Sequence, residues 1–163
     1  MDTLKRIGII IILTAAQVFV LGSIHLFGFA TPLLYVYLAL LFPIGYNKAA
    51  ILIWCAAMGL IMDMFTNTPG IAMAAMTLIG FVQPVTARAF AGRDADEGML
   101  PTMRIMGGGK YASYAVTLTL LFCIVFFSLE AFTFGNIVYW AKCVIGSTTL
   151  TVIFILTIES VRK

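Results

Sequence analysis

The sequence predicts an all-α integral membrane protein of six transmembrane helices with both termini in the cytoplasm. Three observations carry this. Of 163 residues, 62% are hydrophobic and only 10% charged, where a soluble domain carries about a quarter charged. Six apolar stretches, most near the roughly 20 residues that cross a bilayer, are separated by turn-forming residues. Nine of the ten Lys and Arg residues fall on one side of a six-span arrangement, which the positive-inside rule makes the cytoplasm.

The first span is expected over 7–27, after Lys5 and Arg6. Its apolar run is longer than a signal-peptide core and no A-x-A site follows, so an uncleaved helix is expected. The second runs over 32–46, about 15 residues, reaching only about 22 Å as a helix, which tilt or a thinned bilayer would absorb. A turn near Tyr46–Lys48 separates it from the third, because one helix over 32–65 would be about 50 Å long against a core about 30 Å thick. Pro43, Gly45 and Asn47 supply the break.

The third span is expected over 49–65 and the fourth over 69–90. The fifth follows over 111–132 and the sixth over 137–161, making a single membrane domain of 1–163. Three tight connections carry no Lys or Arg. Two lead into a helix through Thr31-Pro32 and Thr68-Pro69, threonine as cap and proline in the first position. Asn136 caps the sixth. The long connection, 91–110, is cytoplasmic, holds Arg93 and Arg104, and ends in three glycines that suit a flexible or bent joint. Within it, MLPTMRIM suits a short amphipathic segment at the membrane surface.

Ionisable groups inside apolar spans are costly and mark candidate sites. His25, Asp63, Glu130 and Lys142 all lie toward the outer ends of their spans. Cys55, Ala56, Gly59 and Asp63 share one helical stripe, so Asp63 is expected to face the bundle interior. There it either caps the fourth helix and the turn at Asn67 and Thr68, contributes to a substrate site, or meets a partner helix. Lys142, Gly146 and Thr149 form a similar stripe, making Lys142 a candidate partner for Asp63 or Glu130, or a snorkelling lysine. Gln83-Pro84 reads as a kink whose freed carbonyl a neighbouring polar group satisfies.

No Ser-His-Asp or Cys-His set is visible, GGGK at 107–110 lacks the phosphate-loop spacing, and Cys55, Cys123 and Cys143 have no metal-ligand spacing. Catalysis, a metal and a cofactor are therefore not expected, nor is a nucleic-acid partner. The cysteines read as small buried residues at helix contacts.

GLIMDMFTNTPGIAMAAMTLIGFVQP, residues 59–84, resembles the characteristic segment of the MreD family of rod shape-determining proteins. The matching residues are Gly59, Asp63, Phe65, Gly70 and Ala75. ARAFAGRDADEGMLPTMRIMG and SLEAFTFGN, which carries Glu130, are similar to the Bacteroidota branch of that family. The resemblance implies a non-enzymatic inner-membrane component of the cell-elongation machinery. Its partners would be MreC and, beside it, MreB, RodA and a class-B penicillin-binding transpeptidase. It also implies the fold of substrate-binding subunits of energy-coupling-factor vitamin transporters, which supplies a rival function. The residues expected to hold structure or meet a partner are Gly59, Asp63, Glu130, Lys142, Arg93 and Arg104.

Overall fold

The structure is a computed structural model that describes residues 3–21, 31–92, 96–131 and 136–162. His25 and Arg93 lie outside the described residues. Among the described residues the regular secondary structure is all helix, with no strand. Helix α1 covers Thr3–Ala15 and continues as a π-helical turn, Ala16–Leu21. A 3₁₀ turn, Leu34–Val36, leads into a four-residue helix α2, Tyr37–Leu40. Then come α3 (Lys48–Thr66), α4 (Ile71–Ala91), the single turn α5 (Met103–Met106), α6 (Gly108–Glu130) and α7 (Ile137–Val161).

Four of these, α3, α4, α6 and α7, are long and apolar enough to cross a membrane. They match the third to sixth expected spans to within three residues. Their outward faces carry Ile53, Leu60, Phe81, Val85, Ile145 and Ile153, all exposed, as side chains do when the surrounding solvent is lipid. Helix α3 packs along α4, α4 along α6, and α6 along α7. Asn47 caps α3 by accepting from the Ala49 amide at 3.1 Å. Asn136 caps α7 by accepting from the Tyr139 amide at 3.3 Å, as expected.

The expected second span departs most from a plain helix. Thr31 to Leu33 are not helical, so Thr31-Pro32 does not open one, and regular helix is confined to Tyr37–Leu40. Every residue from Pro32 to Phe42 is buried. The segment is the core around which the long helices pack, with Tyr35 edge-on to Phe122 of α6 at 5.4 Å between ring centroids.

Irregular backbone survives at membrane depth only when protein groups satisfy its amides and carbonyls. The side chains that do so come from far along the chain. Gln17 of the π-turn donates to the Pro32 carbonyl at 2.8 Å and accepts from the Leu34 amide at 2.9 Å. Ser147 accepts from the Thr31 amide at 3.1 Å, and Thr151 from the Leu33 amide at 2.9 Å. Gln83 donates to the Phe42 carbonyl at 3.2 Å.

Spacing of the α7 contacts shows the backbone of Thr31–Leu33 drawn out. Thr31 and Leu33 are two steps apart, whereas Ser147 and Thr151 are four helical steps, or about 6 Å, apart. The segment therefore advances about 3 Å per residue there, the rise of extended backbone and twice that of a helix. The drawn-out part is confined to the start of the segment, since Leu34–Leu40 is 3₁₀ and α-helical.

At its far end the segment is clasped by the long connection. The Ile44 amide donates to the Met99 carbonyl at 2.9 Å and the Gly98 amide to the Ile44 carbonyl at 2.7 Å. Gly45, at φ +81°, lies against the Glu97 side chain, and Arg88 pairs with Glu97 at 3.7 Å. The segment MLPTMRIM forms only the turn α5: Met106 is buried and Arg104 and Ile105 are exposed. Gly107, at φ +82°, makes the expected bend, but Gly108 and Gly109 are the first residues of α6.

Removing the Gln17 carboxamide strands one carbonyl and one amide. Gln17→Leu is expected to cost about 2–4 kcal/mol and Thr151→Val about half of that. Thermal midpoints of the detergent-solubilised variants check the order. Midpoints equal to that of the unaltered protein would show that the segment does not depend on these side chains.

Candidate functional site

The hairpin between α3 and α4 holds the one acidic side chain that the sequence sets on an inward stripe. Asp63 is 6% exposed. Its Oδ1 accepts from the Ala72 amide at 2.9 Å and from the Thr68 hydroxyl at 3.1 Å, and its Oδ2 accepts from the Met73 amide at 2.9 Å. A helix begins with amides that have no intrahelical partner and with the positive end of its dipole. Asp63 meets both, acting on α4 from the preceding helix.

Three local features bring the carboxylate there. Asn67, at φ +55°, ends α3 in the left-handed conformation, and Gly70, at φ +84°, precedes the first residue of α4. The Thr68 amide donates to the Asp63 carbonyl at 3.3 Å, which closes the turn. One helical turn before Asp63, Gly59 lies under the start of α4. A Cβ at Gly59 would stand 2.5 Å from the Met73 Cα and 2.7 Å from the Ala72 carbonyl oxygen. Further down the same seam Gly80 admits the Cys55 side chain. Thr68-Pro69 does not start the helix as expected: α4 begins at Ile71, and Thr68 supports the carboxylate.

Of the residues singled out in 59–84, Gly59, Asp63 and Gly70 thus shape the hairpin, and Ala75 is fully buried. Phe65 differs, since it is 62% exposed.

The other candidates do not gather around Asp63. Lys142 is exposed, because the stripe it shares with Thr149 lies on the outward face of α7, where Thr149 is exposed too. It is a partner of neither Asp63 nor Glu130. Glu130 is exposed at the last residue of α6. Arg104 is exposed on α5. Among the described residues no group of three or more His, Cys, Asp or Glu side chains comes together. The cysteines are reduced and buried.

A second polar cluster escaped the sequence reading. Glu159, in the last turn of α7, is 6% exposed. Its Oε2 accepts from the Tyr37 hydroxyl at 2.8 Å and lies 3.7 Å from the Arg162 guanidinium, which also donates to the Tyr37 hydroxyl at 3.3 Å. The i, i+3 spacing of Glu159 and Arg162 was a readable sign of the ion pair. Nothing local marks Tyr37 as its third member. The cluster ties the end of α7 to the central segment. Gln83, fully buried, donates to the Tyr114 hydroxyl at 3.1 Å as well as to Phe42, while its own Oε1 has no protein partner among the described residues.

Asp63→Ala is expected to lose about 2–4 kcal/mol through two stranded amides, with Asp63→Asn retaining part of it. Gly59→Ala is expected to lose about 1–3 kcal/mol by forcing the hairpin apart. The yield of monodisperse protein from membranes ranks them, and normal yields for all three would remove the hairpin from its structural role.

Comparison with protein-family models, with curated proteins and with solved structures gives no match for this chain.

Proposed function

We propose that this chain is a non-enzymatic component of the bacterial cell-elongation machinery, akin to the MreD family. In this reading it sits in the cytoplasmic membrane as six spans, with both termini inside. It binds MreC and, with it, the peptidoglycan synthases of the rod-shape complex. The observation that carries the reading is the α3–α4 hairpin, where the resemblance is strongest and where Gly59, Asp63 and Gly70 each have a defined physical task.

Two further features support it. The central segment and the side chains that clamp it occupy the middle of the bundle, which suits a scaffold whose outward surfaces do the work. The charged residues that a vitamin-binding subunit would direct toward one outward site stand apart: Asp63 is taken up by α4, whereas Glu130 and Lys142 are exposed. Phe65, exposed beside the buried carboxylate, is then a contact for lipid or for a partner helix. On the opposite side the connection clasped to Ile44 presents Arg104, Asp96 and Glu97, a surface suited to cytoplasmic partners such as MreB.

Affinity purification of the tagged protein from its own host, in mild detergent, tests the reading. MreC together with RodA or the transpeptidase is the expected catch. A pair of ATPases with a coupling membrane subunit would overturn it and make the chain a transporter subunit. Cells depleted of the protein are expected to round up, and unchanged rods would equally end the proposal.

A further inference from the structure

Two exposed charges of opposite sign stand toward the outer ends of neighbouring helices and do not meet within the chain. Glu130 is the last residue of α6, and Lys142 lies near the start of α7. Among the described residues neither belongs to an ion pair. A charge beside lipid is costly unless an opposite charge or a polar group meets it.

Contacts of the central segment place the two at one depth. Tyr35 packs edge-on against Phe122, which lies about 12 Å along α6 from Glu130. From Tyr35 back to Thr31 the backbone climbs toward the outer side by 3₁₀ and drawn-out steps, about 10 Å in all. Thr31 therefore stands close to the level of Glu130, and so does Ser147, which accepts its amide. Lys142 precedes Ser147 on α7 and lies about 7 Å further out. The two charged residues thus differ in depth by about one helical turn, a gap their side chains span. Below Lys142 the same face of α7 carries Ile145, Thr149 and Ile153, all exposed. Gly146, beside that stripe, leaves room for another helix to come close.

We propose that a second copy of this chain docks on the outer half of α6 and α7, with Lys142 of each copy against Glu130 of the other. Copies inserted with the same topology form a symmetric dimer about an axis along the membrane normal, and rotation about that axis keeps every residue at its own depth. Opposite charges that share a depth on adjacent helices are therefore self-complementary, and one rotation forms both pairs. At the edge of the hydrocarbon such a pair is less screened than in water, so it favours this register over others. The apolar stripe below Lys142 then faces protein in place of lipid. The dimer stands or falls separately from the cell-elongation reading.

Disulfide trapping in native membranes tests this, with two differently tagged full-length copies, one carrying Lys142→Cys and the other Glu130→Cys. The native cysteines are buried and give little background. Phe65, exposed at the outer end of α3, supplies the collisional rate when Phe65→Cys replaces Glu130→Cys. The mixed disulfide through Lys142→Cys and Glu130→Cys is expected to form several-fold faster than that control, and an equal rate would overturn the proposal. Native mass spectrometry from lipid nanodiscs supplies the second arm. The unaltered protein is expected as a dimer, Lys142→Glu as a monomer, and Lys142→Glu combined with Glu130→Lys as a dimer again. An unaltered protein that is monomeric would leave Lys142 to lipid headgroups and overturn the dimer. A double variant that stays monomeric while folded would overturn the pairing.

Discussion

Every peptide unit brings one donor and one acceptor into the membrane, and lipid satisfies neither. A long helix meets this demand by itself. The stretch from Thr31 to Ile44 does not, since only its middle is regular helix. The rest of the molecule is arranged around that deficit. Gln17 answers one carbonyl and one amide, Ser147 and Thr151 one amide each, Gln83 another carbonyl, and the 96–99 stretch closes the far end with two backbone bonds. The burial of the segment follows from the same demand, because exposed irregular backbone would have only hydrocarbon to face. The apolar side chains of the segment then fill the space between helices that its backbone holds open.

The α3–α4 hairpin handles the same demand by another route. A helix start leaves amides without partners, and here the carboxylate that meets them belongs to the helix before. That arrangement needs the two backbones to lie almost in contact, which Gly59 permits and no larger residue would. The glycine and the acid, four residues apart, thus form one device. The cost of a charge in lipid is offset when it is placed on the positive end of a helix and bonded by the amides there. The carboxylate reaches the α4 amides only because the packing at Gly59 lets the two backbones approach.

Long apolar runs made the four long helices legible in the sequence, because length and punctuation suffice to place them. The inward direction of Asp63 was legible from the small residues one and two turns before it, and capping of α4 was among its readings. The central segment was not legible as irregular. TPL, residues 31–33, looks like a helix entry in the sequence, and the clamps that hold it drawn out come from Gln17, Ser147 and Thr151, remote in sequence. Of the two readings of Lys142, pairing with Asp63 or Glu130 rested on the stripe with Gly146 and Thr149, but small and hydroxyl residues occur on both faces of a membrane helix, and within one chain the exposed Lys142 fits the other, a snorkelling lysine. Glu159 was passed over near the end of an apolar run, where its burial depends on Tyr37, 122 residues away.

That separation bears on how the chain is made. The amide of Thr31 finds its acceptor in a residue synthesised 116 positions later, and that of Leu33 in one 118 positions later. Throughout the translation of α3, α4 and α6 the central segment is in the membrane or at its edge with its backbone incompletely bonded. The nascent chain must therefore hold this stretch in a sheltered or hydrated place, beside the insertion machinery or at the lipid surface, until α7 emerges. Closure of the core is in this sense completed last, and a chain stopped before Ser147 lacks the acceptors of the Thr31 and Leu33 amides.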